Sequence, residues 1–335
     1  MANSGYAQWL RKFRLIVGSL DVSNLRCTFS IEKSVNETPN YSEIIVYNLA
    51  ASTVAQIKAG QTVILEAGYE NGNCGMIFTG QIVQPFVDRE NGVDTKLHLI
   101  CQDGDVYLNS SFTAKTLEKG STVMDAVNAC STIAQDLIGQ KVQAAGSYIR
   151  GKVMFGMSAD YLKKIAQKTD TQFFVNDGKI NIVGAEDYKE GMAVALNADT
   201  GLIGDPSQTD DGVSAQCLIN PSMKLNTLVH IDSSAITAKA LSNAESTVSS
   251  FSANGVYRII KLTYEGDTHG DPWYCTFDAI TQDGSNPAGS EPTSGTPTST
   301  TTTSTPSTPS TPSTPSTPGK PTSVLVEMLK GSPWR

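Results

Sequence analysis

Alternation of apolar and polar residues marks the first hundred residues of this chain as β-structure. One run places four apolar side chains on a single face, namely Leu25, Cys27, Phe29 and Ile31. Similar runs cover residues 42–49, 61–69, 76–86 and 95–104. Between the first two of these, the sequence predicts a one- or two-turn helix that starts near Ser52 and ends at Gly60. Five or six strands in roughly ninety residues, from Phe13 to about Gly104, predict a compact barrel or sandwich.

The period changes after this region. From Ser121 to Gly139 the apolar residues recur every three or four positions, which predicts one helix with a buried face, capped by Ser121 and closed by Gly139. The apolar positions are Val123, Ala126, Val127, Cys130, Ile133, Ala134 and Leu137. A second helix is predicted to begin at a Ser158 cap, and a hairpin is predicted at Asn176-Asp177-Gly178. Residues 111–188 therefore predict an α+β unit.

A second β region follows, and it resembles the first in strand order. The runs 226–232, 257–264 and 276–284 follow one another as the runs 61–67, 76–83 and 98–104 do, and each series closes on Gln-Asp-Gly. Duplication of one β domain explains this recurrence. Chance similarity of short β segments is the alternative.

The predicted fold class is α+β and β-dominated, with two similar β-barrel-like domains, an inserted α+β domain and a disordered Ser/Thr/Pro linker. The predicted boundaries are 1–110 for the first β domain, 111–190 for the α+β domain and 191–284 for the second β domain. The linker is predicted at 285–321 because it contains Ser, Thr, Pro and Gly with almost no apolar residue. An apolar peptide, 322–335, follows it.

The C-terminal peptide predicts a docking motif on a tether, since it returns abruptly to apolar composition. Its candidate partner-binding residues are Val324, Leu325, Val326, Met328, Leu329 and Trp334. A linker of this length has a root-mean-square span of about 30 to 35 Å, so the peptide would reach a neighbouring molecule. A frayed chain end without a function is the alternative.

The composition restricts the classes of function that the chain can have. Charged residues make up only 17% of the chain, which suits a protein that buries surface against neighbours. The net charge of −8 argues against wrapping of nucleic acid, although an acidic channel that lets DNA pass is compatible with it. The six cysteines lie far apart and predict buried thiols made in a reducing compartment. No signal-like or membrane-spanning run is found, so the sequence predicts neither general secretion nor membrane insertion.

Motifs for catalysis are scarce. The sequence contains no Walker loop, nucleophile elbow or zinc-protease motif, and it predicts no catalytic residues, no cofactor and no metal. Glu265, Asp267, His269 and Asp271 crowd one short segment and are the best candidates for a cation site, for which a polar turn between strands is the preferred interpretation. Pairs of carboxylates such as Asp88 with Glu90, or Asp210 with Asp211, are the residue type that glycoside hydrolysis requires. Such pairs are common in soluble proteins, and the sequence does not define the distance between the two carboxyl groups.

Four stretches together resemble the baseplate hub proteins of Mu-like and related contractile-tailed phages, which are similar in fold to the trimeric hub of T4-type phages. They are IIVYNLAASTVAQIKAGQTVILEAGY with the following IFTGQI, then ADYLKKIAQKTDTQFFVNDGKINIV, then GLIGDPSQTDDGVSAQCLINPSMKLNTLVHID, and finally KLTYEGDTHGDPWYCTFDA. The resemblance spans residues 10–284. It departs at Leu225-Asn226, where the family tends to carry a glycine, and it excludes the Ser/Thr/Pro segment.

The resemblance implies a structural, non-enzymatic hub subunit. It implies a homotrimer in which two β domains per subunit give six similar units around an axis. Such a ring would adapt a sixfold tail tube to a threefold spike and transmit force on contraction. The implied partners are the tail tube protein, the central spike and baseplate wedge proteins, with genomic DNA passing through the lumen unbound. The implied location is the virion tail baseplate, after assembly in the host cytoplasm.

The alternative from another class is a secreted or tail-associated protein that acts on carbohydrate or peptidoglycan, because Ser/Thr/Pro linkers commonly join catalytic and binding modules. The missing signal peptide and the missing catalytic constellation argue against it.

Overall fold

Seven strands and one helical turn form the N-terminal part of the computed structural model, which describes residues 10–70, 72–90, 92–209, 212–232 and 254–281. The strands are β1 (Arg11–Val17), β2 (Leu20–Asp21), β3 (Cys27–Ser34), β4 (Asn40–Tyr47), β5 (Thr62–Tyr69), β6 (Cys74–Glu90) and β7 (Asp94–Asp103). The helical turn is α1 (Ala51–Val54), which lies where the short helix is predicted but ends at Val54 and not at Gly60. In β3 and β4, buried and part-exposed residues alternate, because one face of each strand packs into the core.

Helices and short strands make up the middle part. The elements are α2 (Asp105–Ser110), β8 (Phe112–Leu117), α3 (Val123–Cys130), β9 (Gln135–Ile138), α4 (Gln140–Gln143), β10 (Lys152–Met157), α5 (Ser158–Thr169), β11 (Gln172–Asn176) and β12 (Lys179–Val183). Strands β8 and β10 form a two-stranded ribbon, and β11, β12 and β9 form a three-stranded sheet. This part has its own core cluster around the buried residues of α3 and α5.

The predicted helix from Ser121 to Gly139 is wrong in its second half. Helix α3 ends at Cys130, and the residues predicted for its last turns form β9, which pairs in parallel with β12. The backbone of 135–138 thereby gains inter-strand hydrogen bonds that outweigh the helical period of the sequence. Gly139 precedes α4 instead of closing α3.

Both predicted caps are displaced by one position. Thr122, rather than Ser121, caps α3, because its hydroxyl accepts a hydrogen bond from the Asp125 backbone N–H at 3.1 Å and the Asp125 carboxylate accepts from the Thr122 N–H at 2.8 Å. Ser158 is the first residue of α5 and not its cap, since Met157 precedes the helix. The Ser158 side chain is buried and lies 2.7 Å from the Thr113 hydroxyl.

The predicted hairpin at 176–178 is confirmed. Strands β11 and β12 pair antiparallel across Asp177 and Gly178, whose φ angles are 51° and 70°. Two successive positive φ values define the tight turn that the right-handed twist of paired strands prefers.

Six strands and one turn of 3-10 helix form the last part. They are β13 (Val194–Leu196), the 3-10 turn Ala198–Thr200, β14 (Leu202–Thr209), β15 (Gly212–Leu218), β16 (Leu228–Asp232), β17 (Asn254–Asp267) and β18 (Trp273–Thr281). They join the N-terminal strands in one sheet of thirteen strands, whose main path is β14-β15-β18-β17-β3-β4-β7-β6-β5-β1-β2. Strand β16 pairs with β17, and β13 pairs with β16. A single core cluster contains buried residues of both β regions.

Asn226 explains the departure from the expected glycine. Its φ is 63°, a left-handed conformation that glycine and asparagine tolerate best. The side chain is buried, and its Oδ1 accepts a hydrogen bond from the Arg258 guanidinium at 3.2 Å. The turn therefore keeps the backbone geometry of a glycine turn and adds a side-chain anchor.

The predicted fold class is confirmed: the chain is an α+β protein dominated by strands, in which an α+β segment lies between two β regions. The segments 285–321 and 322–335 lie outside the described residues.

Candidate subunit interface

The two β regions pair their strands in the same order. In the N-terminal region the neighbours run β3-β4-β7-β6-β5-β1, and in the C-terminal region they run β14-β15-β18-β17-β16-β13. Along the chain, β1 and β3 to β7 correspond one by one to β13 to β18. One pair differs in direction, since β13 and β16 are parallel whereas β1 and β5 are antiparallel.

A β-bulge fixes the correspondence residue by residue. In the pairing of β6 with β7 the register shifts between Ile82 and Gln84, so Val83 is the extra residue. In the pairing of β17 with β18 it shifts between Ile259 and Lys261, so Ile260 is the extra residue. Aligning the two bulges makes Ile100 correspond to Asp278.

The Gln-Asp-Gly recurrence of the sequence does not follow this alignment. With the bulges superimposed, Gln102 corresponds to Ile280 and not to Gln282. The recurrence therefore lies two residues out of the structural register, and residues 282–284 are outside the described residues.

The two series join edge to edge through β17 and β3. Beyond the stretch of β17 that pairs with β16, seven residues, Lys261–Asp267, pair antiparallel with β3. Tyr264 lies opposite Ile31 and Gly266 opposite Phe29. A Cβ at Gly266 would lie 2.2 Å from the Phe29 ring, so glycine is required for the close approach of the two strands.

Aromatic packing and an ion pair to a buried carboxylate hold this joint. Phe29 packs edge-on against Trp273 with ring centroids 5.6 Å apart. Arg26 donates to Asp267 at 2.7 Å. Burial opposes ionisation of Asp267, but the hydrogen bonds from Arg26 and from the His269 backbone N–H outweigh it, so the pKa of this carboxyl lies below its ordinary value.

The corresponding stretch of β6 is an open edge. Strand β5 pairs with β6 only up to Gln81, and beyond Ile82 no described strand pairs with β6 on the side away from β7. Val83, Phe86 and Val87 lie on this stretch and are 43%, 41% and 50% exposed. Apolar residues on an unpaired edge are a template for strand addition.

Strand β14, the counterpart of β3, is the other open edge. It pairs with β15 on one side and with no described strand on the other. Its register to β15 shifts between Ile203 and Ser207, and Pro206 lies within the shift. Proline is tolerated in sheets mainly on edge strands, because it donates no backbone hydrogen bond.

The hairpin of the α+β segment docks beside the joint. Lys33 of β3 contacts Asp177 at 2.5 Å, and Asn40 donates to the Val175 carbonyl at 3.0 Å. Asp103 Oδ1 accepts from the Gly178 N–H at 2.9 Å, whereas its Oδ2 is buried without a hydrogen-bond partner among the described residues. Burial raises the pKa of Asp103 to about 6, and the nearby Lys33 limits the rise.

A cleft of about 450 Å³ opens beside Asp103 and is lined also by Gln81, Tyr107 and Phe112. Its walls are mostly apolar. The described residues contain no cluster of three or more His, Cys, Asp or Glu side chains arranged for a metal ion. Across the same residues, no helix has the length and apolar character that a membrane crossing requires.

The segment Glu265–Asp271 covers the last three residues of β17 and the turn that leads to β18. Asp267 Oδ1 accepts from the His269 backbone N–H at 2.8 Å, and the other carboxylate oxygen pairs with Arg26, so the Asp267 carboxylate serves the turn and the joint. The preferred interpretation as a turn is confirmed. Arg11 donates to the backbone carbonyls of Asp267 and Asp271 at 3.0 and 3.2 Å.

The other candidate residues of the sequence fall elsewhere. Val324, Leu325, Val326, Met328, Leu329 and Trp334 lie outside the described residues, as do Asp210 and Asp211. Asp88 and Glu90 lie on the open edge of β6. Sequence reasoning missed the joint and both open edges. The signal that could have found the β6 edge is the loss of alternation in Val83–Val87, where three apolar residues follow the buried part of one long strand.

Solved structures of two tail proteins and of a VgrG complex share this fold. The 43 kDa tail protein of prophage MuSo2 from Shewanella oneidensis is 10% identical with a TM-score of 0.55, and the match covers 82% of this chain and 99% of that one. The tail protein from Neisseria meningitidis MC58 is 11% identical with a TM-score of 0.56 and the same two coverages. A chain of the Francisella PdpA-VgrG complex is 8% identical with a TM-score of 0.51, covering 84% of this chain and 59% of that one. The fold is that of phage tail proteins.

The sequence narrows the class further. No curated protein sequence matches the chain. Residues 19–279 match the family described as baseplate hub gp41, and because this match covers most of the chain, the protein belongs to that family. It is a structural component of a phage tail, as the resemblance noted from the sequence implied.

Proposed function

We propose that the protein forms a trimeric ring in the baseplate, which adapts a sixfold tail tube to a threefold spike and transmits force on contraction. The observation that carries the proposal is the repeated strand series with its internal joint between β17 and β3. Three copies of a chain that holds two similar units place six similar units around one axis. Residues 1–110 and 191–284 would be these units, with 111–190 inserted between them.

The partners follow from that geometry. One face of the ring would contact the tail tube protein and the other the central spike, with baseplate wedge proteins outside and genomic DNA passing through an acidic lumen without specific binding. The chain would enter the virion after assembly in the host cytoplasm.

The decisive experiment is the copy number of the full chain. Native mass spectrometry of the purified protein, and of hubs released from assembled tails, should give three copies per ring. A monomer that never enters a ring, or a ring of six copies, would overturn the proposal.

The mechanism would involve no covalent step, so no hydrolysis of glycans or peptidoglycan is expected. A zymogram of the purified chain tests this expectation. A cleared band that disappears when Glu265, Asp267 or His269 is substituted would contradict it.

We propose further that the apolar peptide 322–335 docks on a neighbouring tail protein. Its six candidate residues combine aliphatic side chains with one tryptophan, the kind of anchor that dominates small interfaces. Truncation after Gly284 should leave the trimer intact and lower the yield of assembled baseplates, with Trp334→Ala and Leu329→Asp giving part of the defect. Normal assembly and infectivity after truncation would show that the peptide is dispensable.

A further inference from the structure

The joint between β17 and β3 and the open edges of β6 and β14 are formed by corresponding strands. We call the paired arrangement the closed state and the arrangement that no described strand completes the open state. In the closed state, β3 takes the stretch of β17 that β16 leaves unpaired. In the open state, no described strand pairs with the corresponding stretch of β6 beyond β5, or with β14, the counterpart of β3, on the side away from β15. Each chain thus carries both halves of a second joint.

These two halves do not meet within one chain. Strand β14 lies at one end of the main sheet path, and β6 follows β3, β4 and β7 further along it, with no pairing between the two. A second copy can supply the missing half of each.

We infer that β14 of one subunit adds to the open stretch of β6 in the next, in the register with which β3 adds to β17. The inference rests on the proposed ring and specifies how its subunits join. Head-to-tail contacts of this kind, which join two different edges, close into a ring when the rotation fits.

The register follows in two steps. Val83 corresponds to Ile260, so Asp88 corresponds to Glu265, five residues further along each strand. Ser207 lies opposite Ser214, which lies opposite Asp278, and Ser30 lies opposite Glu43, which lies opposite Ile100. Since Ile100 corresponds to Asp278, Ser207 corresponds to Ser30.

Inside one chain, Glu265 lies opposite Ser30. Between chains, Asp88 therefore lies opposite Ser207, which is again an acidic residue facing a serine. The neighbouring pairs continue the ladder as Val87 with Gln208 and Phe86 with Thr209. Pro206 has no N–H to donate, so the ladder starts at Ser207.

Cysteine pairs test this register in the full chain. Paired Cα atoms of antiparallel strands lie about 4.5 to 5.5 Å apart, within reach of a disulfide. Mild oxidation of a variant that carries both Asp88→Cys and Ser207→Cys should give covalent trimers on a non-reducing gel. A mixture of the two single variants should give dimers and nothing larger, because each chain then carries one half of one link.

Three controls sharpen the result. Oxidised wild type measures the background from its own cysteines, of which five are buried and Cys74 is partly buried. Glu265→Cys with Ser30→Cys should form the matched link within one chain, with faster migration and no larger species. Gln84→Cys with Ser207→Cys places the cysteines four residues out of register, about 13 Å along the strand, and should not link.

The outcomes separate the inference from the proposed ring. Trimers by native mass without a link at 88 and 207, or with an equal link at 84 and 207, would overturn the strand register and leave the ring standing. A chain that is monomeric in solution and is also found in no ring in assembled tails would overturn the ring, and the inference with it. If the ring forms only in assembled tails, the cysteine variants are oxidised in assembled tails instead.

Discussion

Tyr264 and Val87 occupy corresponding positions in β17 and β6, in the pairing with β18 and β7 respectively, yet Tyr264 is 2% exposed and Val87 50%. The difference in exposure comes from a neighbouring strand. Strand β17 is covered by β3 of the same chain, whereas no described strand pairs with the matching stretch of β6. The residues at corresponding positions differ: the closed joint holds a buried tyrosine and a glycine that admits a phenylalanine ring, and the open edge holds Val87 and Arg89.

The largest contrast is expected from truncation at these two positions. Tyr264→Ala should lower the free energy of unfolding by about 3 to 5 kcal/mol, because it empties a buried site and removes the hydrogen bond to the Met223 carbonyl. Val87→Ala should change it by no more than about 0.5 kcal/mol, since the side chain is half exposed. Urea denaturation under conditions that keep the chain monomeric measures both. Equal losses would remove the distinction between joint and edge.

Charge at the open edge should act on assembly instead of folding. Val87→Lys is expected to leave the monomer folded and to weaken association at least tenfold, about 1.4 kcal/mol per joint, because a lysine ammonium would lose water when the edge is covered. Analytical ultracentrifugation over a dilution series measures the association.

The matched control for this change is Val93→Lys. Val93 is 83% exposed in the turn that joins β6 to β7, outside the expected ladder. An equal loss of association in both variants would point to net charge as the cause.

A smaller and pH-dependent effect is expected where the hairpin docks beside the joint. Burial raises the pKa of Asp103 from 3.8 to about 6, so the folded state binds its proton more tightly than the unfolded state. The stability from this proton is complete below pH 4 and is lost as the pH rises through about 6. Asp103→Asn should therefore gain stability relative to wild type between pH 4 and pH 8, by about 1 to 3 kcal/mol.

Thermal or urea unfolding at both pH values checks this prediction. The groups that face Asp103 are Lys33 and Asp177, and Lys33→Met provides the control. Without the lysine charge the pKa of Asp103 should rise further and the pH dependence should steepen. A pH-independent difference between Asp103→Asn and wild type would contradict the burial of an ionised carboxylate.

The β-strands could be predicted from the sequence because one face of most strands is buried. Period-two alternation then survives in the residues, as in Cys27–Ser34, and the family resemblance came from the order of such stretches. The helix predicted through Leu137 failed for the opposite reason. Its apolar spacing fits a helix, but residues 135–138 gain more from pairing with β12.

The candidate interface could not be predicted from the sequence, because it depends on which strand edges remain unpaired. Pairing between β17 and β3 joins residues more than 220 positions apart, and nothing local to either strand specifies it. Val83, Phe86 and Val87 are ordinary apolar strand residues until the fold shows that no described strand covers them. The acid-serine pair became visible only through the bulges at Val83 and Ile260.

Pro206 has a consequence for the time before assembly. A joint between two different edges leaves a dimer with one open β6 and one open β14, so every partial assembly exposes strand edges on which chains of any kind can aggregate. A proline and a register shift make β14 a poor template for a foreign strand, which would need an uninterrupted row of N–H donors. The β6 edge carries the same two features, because Pro85 and the register shift at Val83 lie on its open stretch. Both edges of a partial assembly should therefore resist foreign strands, and chains held short of closure should stay in solution.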